Sequence, residues 1–495
     1  MAVLLGVPSA RAVSNDPLAG VHHPVSTHSG AAQHEFDNGL LLLYAFNPEE
    51  AIYHFQAAVQ RDPRLAMAYW GIAVAAGPNV NTNYDLDRAR IGAEAAAQAR
   101  SLAANASPEE RAYIDAVSLR YTARSQAQIL SAELAYAQAM DALARRYPND
   151  LDASTLAAES YMDLTPLDMW QRDGRPTQYT HHVIALLEGV LRRDPAHVGA
   201  NHYLIHAYED SPTPGAALAS ARRLAALPLP PAAEHLAHMP EHIFLRTGQY
   251  AEANAAGERA VALFRTYLTQ QHANVHDGYF HHDLQMLEYG EMMAGNWGKA
   301  HAAASEAAAQ VNDSAAEVEC FLRFRRDREL LALPAPSVPD VRWHFARALA
   351  EARTGDVSSS RAELQAIANN REPQGQIARD LVVAELDARA RRDDAAIAAL
   401  RDAVHVQDAL SSAEPPRWYY PVRESLGARL LLAHHDAEAA AVFEADLRRN
   451  PGNPRSLFGL AAALAHDDPA RSRRTQAEFA RAWRNADSKI SVATL

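Results

Sequence analysis

The sequence predicts an all-α chain built as a right-handed helical solenoid. Three observations carry that expectation. Apolar side chains recur with helical rather than alternating spacing from about Ala31 almost to the C-terminus of the 495 residues. Aromatic residues are scarce, at 7%, alanine is abundant, and Gly and Pro number only 22 and 27. The breaks between helical stretches share one phrasing, which marks an internal repeat. A repeat array lets a chain of this length fold without separate globular cores, because each unit buries its apolar face against its neighbours.

Residues 1–30 hold Pro8, Pro17 and Pro24 with little helical pattern, and read as leader and loop. The run Met1-Ala-Val-Leu-Leu-Gly-Val7, followed by Ala10-Arg-Ala12, has the apolar stretch and Ala-x-Ala ending of a signal-peptide remnant without its basic start. A periplasmic or secreted location is therefore expected over a cytoplasmic one. Glu49–Asp62 reads as the second helix of a hairpin, ended by Pro63, and Ala66-Met67-Ala68-Tyr69-Trp70-Gly71 opens the next unit. The ending recurs at Asp194-Pro195, Asn450-Pro451 and, as a variant, Tyr147-Pro148, since proline cannot continue a helix. Turns that would let paired helices pack closely lie at Gly248–Ala253, Gly295–Ala300 and Thr354-Gly355-Asp356. These phrases resemble tetratricopeptide repeats, of about 34 residues each. The pattern loosens between about 310 and 345. Pro334, Pro336 and Pro339 there mark the expected boundary between an N-terminal solenoid, residues 31–330, and a C-terminal one, residues 331–495. Such arrays curve, and the first helix of each pair is expected to line a concave groove.

Net charge is −13, with no basic segment interleaved with aromatics, so nucleic acid is not an expected partner. No apolar run approaches the ~20 residues that span a bilayer. The single cysteine, Cys320, rules out an intrachain disulfide and thiolate-rich zinc or iron–sulfur sites. Histidine, by contrast, is abundant: there are 23.

Two stretches concentrate them, His202-Tyr-Leu-Ile-His206-Ala-Tyr-Glu209 and His235-Leu-Ala-His238-Met-Pro-Glu-His242. Residues at i, i+4 and i+7, or at i, i+3 and i+7, share one helix face. Each stretch thus aims three coordinating groups one way, and imidazole is the commonest protein metal ligand. Pro240 is expected to disturb the second helix, leaving His235 and His238 on a turn. His282 extends the set if its helix lies one repeat further on; His272 and His276 precede it. Glu241, Asp210 or Glu159 are the candidates to accept the outer N–H of a ligating ring. The plainer reading of such histidines is a polar recognition face. His181-His182 and His434-His435 read as surface residues or as supports of a ligating ring, and His22, His23, His28 and His34 as a solvated segment or a metal-capturing arm. The polar turn Gly77-Pro78-Asn79-Val-Asn81 reads as a cap or as a pocket lining. No phosphate loop, nucleophile elbow or H-E-x-x-H zinc signature is present.

The phrases Phe36-x-x-Gly39-Leu40, Tyr44-Ala-Phe46-Asn47, Gly77-Pro78-Asn79, His197-Val-Gly199-Ala200-Asn-His202-Tyr-Leu-Ile205-His206-Ala-Tyr-Glu209, His235-Leu-Ala-His238-Met239-Pro240-Glu-His242-Ile243 and Pro415-Pro416-x-Trp418 run through nearly the whole chain. Together they resemble a bacterial tetratricopeptide-repeat family with H-x-G-A-x-H-x-x-I-H-x-x-E and H-L-x-H-M-P-x-H-I motifs. The resemblance implies the repeat fold and the importance of the histidine site, and no particular reaction. The chain departs from that pattern at Phe46-Asn47-Pro48 and at His282-Asp283-Leu-Gln285, where further histidines are expected, which implies a smaller or altered site.

The functional expectation is a metal-dependent oxidoreductase. Its metal would be copper or iron, held by His202, His206, His235, His238, His242 and His282, with Glu209 and Glu159 in catalytic roles. A small molecule or peptide would bind in the concave groove. The alternatives are a zinc-dependent hydrolase, a non-enzymatic scaffold for a protein partner with a structural metal or a bare histidine face, and metal storage.

Overall fold

The computed structural model describes residues 18–495 except 83, 124, 167, 272–276 and 312–316. The leader motif Met1–Ala12, with His272 and His276, lies outside the described residues. Among the described residues the chain is all-α, with no strand and only two isolated bridges, Asn79 with Thr82 and Trp170 with Pro176. Consecutive helices pack on one another as hairpins from Gly30–Tyr44 with Pro48–Arg61 to Pro454–Ala463 with Pro469–Ala482.

The repeat shows itself in its turns. Among the described residues, seven hairpins close with one left-handed residue, at Phe46, Gly248, Gly295, Arg325, Gly355, Arg391 and His434. In each, the next residue's N–H bonds to the carbonyl five positions back, as from Asn47 to Leu42, Gln249 to Phe244 and His435 to Leu430. This is the Schellman closure, which satisfies carbonyls that the helix end would otherwise leave bare. Packing repeats as well. Phe55 fits between Gly39 and Gly71, and Phe443 between Gly427 and Gly459, each ring 16 residues from both glycines, so close that a Cβ at any of the four would strike it. The chain is thus a tetratricopeptide-repeat-like helical solenoid. Phe55→Ala should destabilise it by about 3–5 kcal/mol, read by chemical denaturation; a loss below about 1 kcal/mol would refute this role for the ring.

Among the described residues, most buried apolar side chains form one cluster reaching from Val21 to Leu495, and a smaller one gathers Val261, Phe264, Phe280 and Leu284. A non-helical proline segment joins helix Asp327–Leu331 to helix Val341–Thr354. Contacts cross it: Arg323 pairs with Glu424 in a fully buried bridge, and Asp487 accepts the amide N–H groups of Trp297 and Gly298 at 2.6 and 2.9 Å.

Residues 21–29 lie as a strap over the first repeats. His22 and His28 are exposed, as a solvated segment predicts, but His23 is tied down. Its Nδ1 lies 2.8 Å from Asp152 Oδ2, its N–H donates to Asp37, and Ser26 N–H donates to Glu110 at 2.6 Å. Burial opposes charge on His23, but Asp152 outweighs it and lifts the pKa to about 9. A raised folded pKa stabilises fully below the ordinary value of 6.5 and is lost as pH climbs through about 9. Hydrogen exchange at Val25 and Ser26 should therefore quicken beyond its intrinsic rise between about pH 7 and 10. A wild-type profile matching that of His23→Gln would contradict the assignment.

Candidate metal centre

Helix Val198–Tyr208 is capped by His197, whose side chain accepts the N–H of Ala200, and it carries His202 and His206 one turn apart. Helices Glu234–His238 and Pro240–Arg246 follow end to end. Pro240 interrupts the hydrogen-bond ladder, yet Met239 keeps helical dihedrals of −51° and −34°. His235 and His238 therefore stand on a true helical turn, correcting the sequence expectation, and His242 continues their path. Helix Asp277–Ala294 supplies His282.

These six imidazoles gather into two trios, His202–His206–His235 and His238–His242–His282, each offering nitrogens within 4.8 Å of one another. The second stretch is thus divided: His235 joins the preceding helix, while His238 and His242 join the following one. The trios abut, with the His235 and His238 rings 5.8 Å apart. All six rings are buried or nearly so, His202 completely and His238 to 1% exposure.

The hydrogen bonds set the tautomers. His202 Nδ1 donates to the Tyr44 carbonyl at 2.6 Å, and His206 Nδ1 to Glu209 Oε1 at 3.0 Å. Their Nε2 lone pairs are left without a partner, as is Nδ1 of His235, whose Nε2 faces Asn81 at 3.4 Å. Outer nitrogens engaged and inner ones bare is how ligating histidines are held. In the second trio His238 Nδ1 is held by Glu241 at 2.9 Å and Asp283 at 3.2 Å. His242 Nδ1 faces Glu209 at 3.2 Å and makes a very close contact with Glu414. That turns the two Nε2 atoms on each other at 2.8 Å. Two nitrogens bound about 2.0–2.1 Å from one ion, at right angles, stand about 2.9 Å apart, so this spacing suits a shared cation.

Burial, reinforced by neighbouring histidines, keeps His202, His235 and His238 well below the ordinary histidine pKa and His206 and His282 at about 3. Those five rings are neutral at pH 7, the form that ligates. His242 differs: burial opposes its charge, but Glu414 and Glu209 overcome it and raise the pKa to about 9. Burial lifts Glu209 to about 7.

The predicted residues are placed as follows. Glu209 is no member of a histidine trio; it bridges the two from outside, with Oε1 on His206 and Oε2 toward His242. Glu241 serves His238, as the sequence allowed. Asp210 instead lies 3.7 Å from Arg246. Glu159 partners no imidazole among the described residues; it lines a cleft beyond Phe46. Phe46 packs on His202 with ring centroids 4.6 Å apart, and stacks on His206 and His235 at 5.6 and 5.7 Å. Sequence reasoning missed Glu414, which arrives on a distant loop, and the carbonyl of Tyr44, which no side-chain pattern betrays. Asp283, read as a departure from the resembling motif, turns out to support His238. His23, Asp150 and Asp152 form another cluster, but Asp152 already accepts from Tyr44 at 2.5 Å and His197 at 3.2 Å.

No protein-family model matches the chain, and no curated protein matches it. Solved structures with some likeness include yeast Tom70, at 12% identity and a TM-score of 0.26, covering 91% of each chain. The tetratricopeptide-repeat domain of P58(IPK) is another, at 12% identity and a TM-score of 0.22, covering 92% of this chain and 99% of that one. At those scores the site must be read from its own geometry. What that geometry defines is a repeat solenoid with a buried, paired histidine centre.

Proposed function

We propose that this protein is a metalloenzyme holding two ions side by side, one per histidine trio, and that it is an oxidoreductase using copper or iron. One observation carries the reading: in the first trio neutral, buried imidazoles converge with bare nitrogens, while the outer nitrogens of His202 and His206 are bonded to the Tyr44 carbonyl and the Glu209 carboxylate. Left empty, such a cluster would sacrifice several buried hydrogen bonds, each at about 1–3 kcal/mol.

Imidazole suits copper, iron and zinc alike. Redox chemistry is favoured because imidazole dominates both trios, and Glu209, Glu241 and Asp283 all face ring nitrogens. Held by these histidines, a pair of redox ions would supply two-electron oxidation of a small organic substrate, with dioxygen as the electron acceptor. The substrate would reach the centre from the concave side of the solenoid.

Metal-free protein reconstituted separately with copper, iron and zinc, then desalted, tests this. About two equivalents of copper or iron should be retained, with dioxygen uptake in the presence of ascorbate. Retention of zinc alone would move the reading to a hydrolase, and retention of no ion would overturn it.

A further inference from the structure

The two histidine trios are walled differently. Phe46 packs on His202, His206 and His235, every ring of the first trio, and stacks on Tyr203 at 5.5 Å between centroids. It is 3% exposed, and no imidazole of that trio exceeds 5%. Two backbone constraints hold the ring in place. The N–H of Asn47 bonds to the Leu42 carbonyl and closes the turn. The Asn47 side-chain amide donates to the carbonyl of Ala232 at 2.9 Å, just ahead of the helix that carries His235.

A phenylalanine is a costly choice for this position. Phe46 is the left-handed residue of its turn, where three of the seven equivalent turns among the described residues carry glycine. A side chain there costs about 1–2 kcal/mol, and such strain is characteristic of functional sites. Behind the ring, a cleft walled by Leu43, Pro48 and Val74 holds ≈ 10 Å³, about one water. The ring thus closes the first trio on that side, with space for nothing larger behind it.

The second trio has a looser rim. His282 is the most open of the six imidazoles, half-buried where the other five are buried. Among the described residues, no Phe, Tyr or Trp ring packs on His238, His242 or His282; their ring contacts are with histidines. The neighbours are long polar side chains instead. Arg246, one turn beyond His242, is 30% exposed at its side chain and donates to the Glu209 carbonyl, and Glu414 arrives on a loop. Closed metal sites hold an ion, whereas reactive ones keep a position open to outside ligands.

We propose that Phe46 is a plug over the first trio, so that an outside ligand of dioxygen's size reaches the second trio alone. The assignment rests on the metal reading and adds to it which of the two places is reactive.

Carbon monoxide is a neutral, dioxygen-sized ligand of copper(I), and its infrared stretch reports each open position. Full-length protein loaded anaerobically with copper(I) should bind about one CO per two coppers, as a single band. Phe46→Gly, which supplies the residue that this left-handed backbone favours, should keep both coppers and bind a second CO with a second band. His238→Ala, which loses the second ion, should bind none. Two CO or none in two-copper wild-type protein, or CO retained by His238→Ala, would overturn the proposal. So would a single unchanged CO in Phe46→Gly with both coppers present. The wild-type and His238→Ala measurements decide the matter even if Phe46→Gly folds poorly. Copper content is measured on the same samples, so protein that retains no copper marks failure of the metal reading itself.

Discussion

His206→Ala should leave the protein folded but able to retain one ion instead of two, with affinity at the first trio reduced by more than about 100-fold. Outer-shell partners of metal-bound histidines typically cost 10–100-fold, and loss of a ligand itself should exceed that. Among the described residues His206 Nε2 is one of the three nitrogens that converge there, and removing it leaves His202 and His235 unable to close a three-ligand set. His238→Ala is the counterpart at the second trio, and its effect should be the mirror image, with the first ion retained. Truncating one buried ring should cost folding stability on the order of 1–3 kcal/mol, visible as a modest shift in melting temperature. Elemental analysis of the two single variants and the double variant checks this. Loss of both ions in either single variant would show one shared site, and unchanged metal content in all three would remove these residues from the ligand set.

Glu209→Gln should weaken both ions together, by about 10–100-fold, although Glu209 belongs to neither histidine trio. Its two carboxylate oxygens reach the outer nitrogens of His206, at 3.0 Å, and of His242, at 3.2 Å. An amide of the same size cannot accept from both, because one of its two polar atoms is itself a donor. Glu241→Gln offers the control, since Glu241 supports His238 and should affect the second ion alone. Competition with a chelator of known affinity resolves the two steps. A loss confined to the first trio would show that Glu209 does not couple the pair.

Much of this architecture was legible before any coordinates. Asp62-Pro63, Asp194-Pro195 and Asn450-Pro451 marked helix ends because proline removes a donor and blocks the preceding turn. The left-handed turns were legible only where glycine announced them, at Gly248, Gly295 and Gly355; Phe46, Arg325, Arg391 and His434 adopt the same conformation without that signal. Helical spacing places His202 with His206 and His238 with His242. It could not reveal that His235 turns back to the earlier helix, because spacing fixes which face a ring leaves, not which neighbouring helix receives it. Glu414 was beyond reach for a similar reason: it meets His242 across 172 residues, on a loop with no periodicity to read. His23 looked solvated because proline-rich context suggested a mobile segment, and its buried partner Asp152 lies 129 residues away.

The central claim is that two ions sit in two adjacent histidine trios. Anomalous scattering from crystals of protein loaded with copper or iron, recorded at the absorption edge of that metal, tests it most directly. The account predicts two separate peaks, one enclosed by His202, His206 and His235 and the other by His238, His242 and His282. Peaks elsewhere, or histidine rings that keep these positions around no metal after loading, would contradict it.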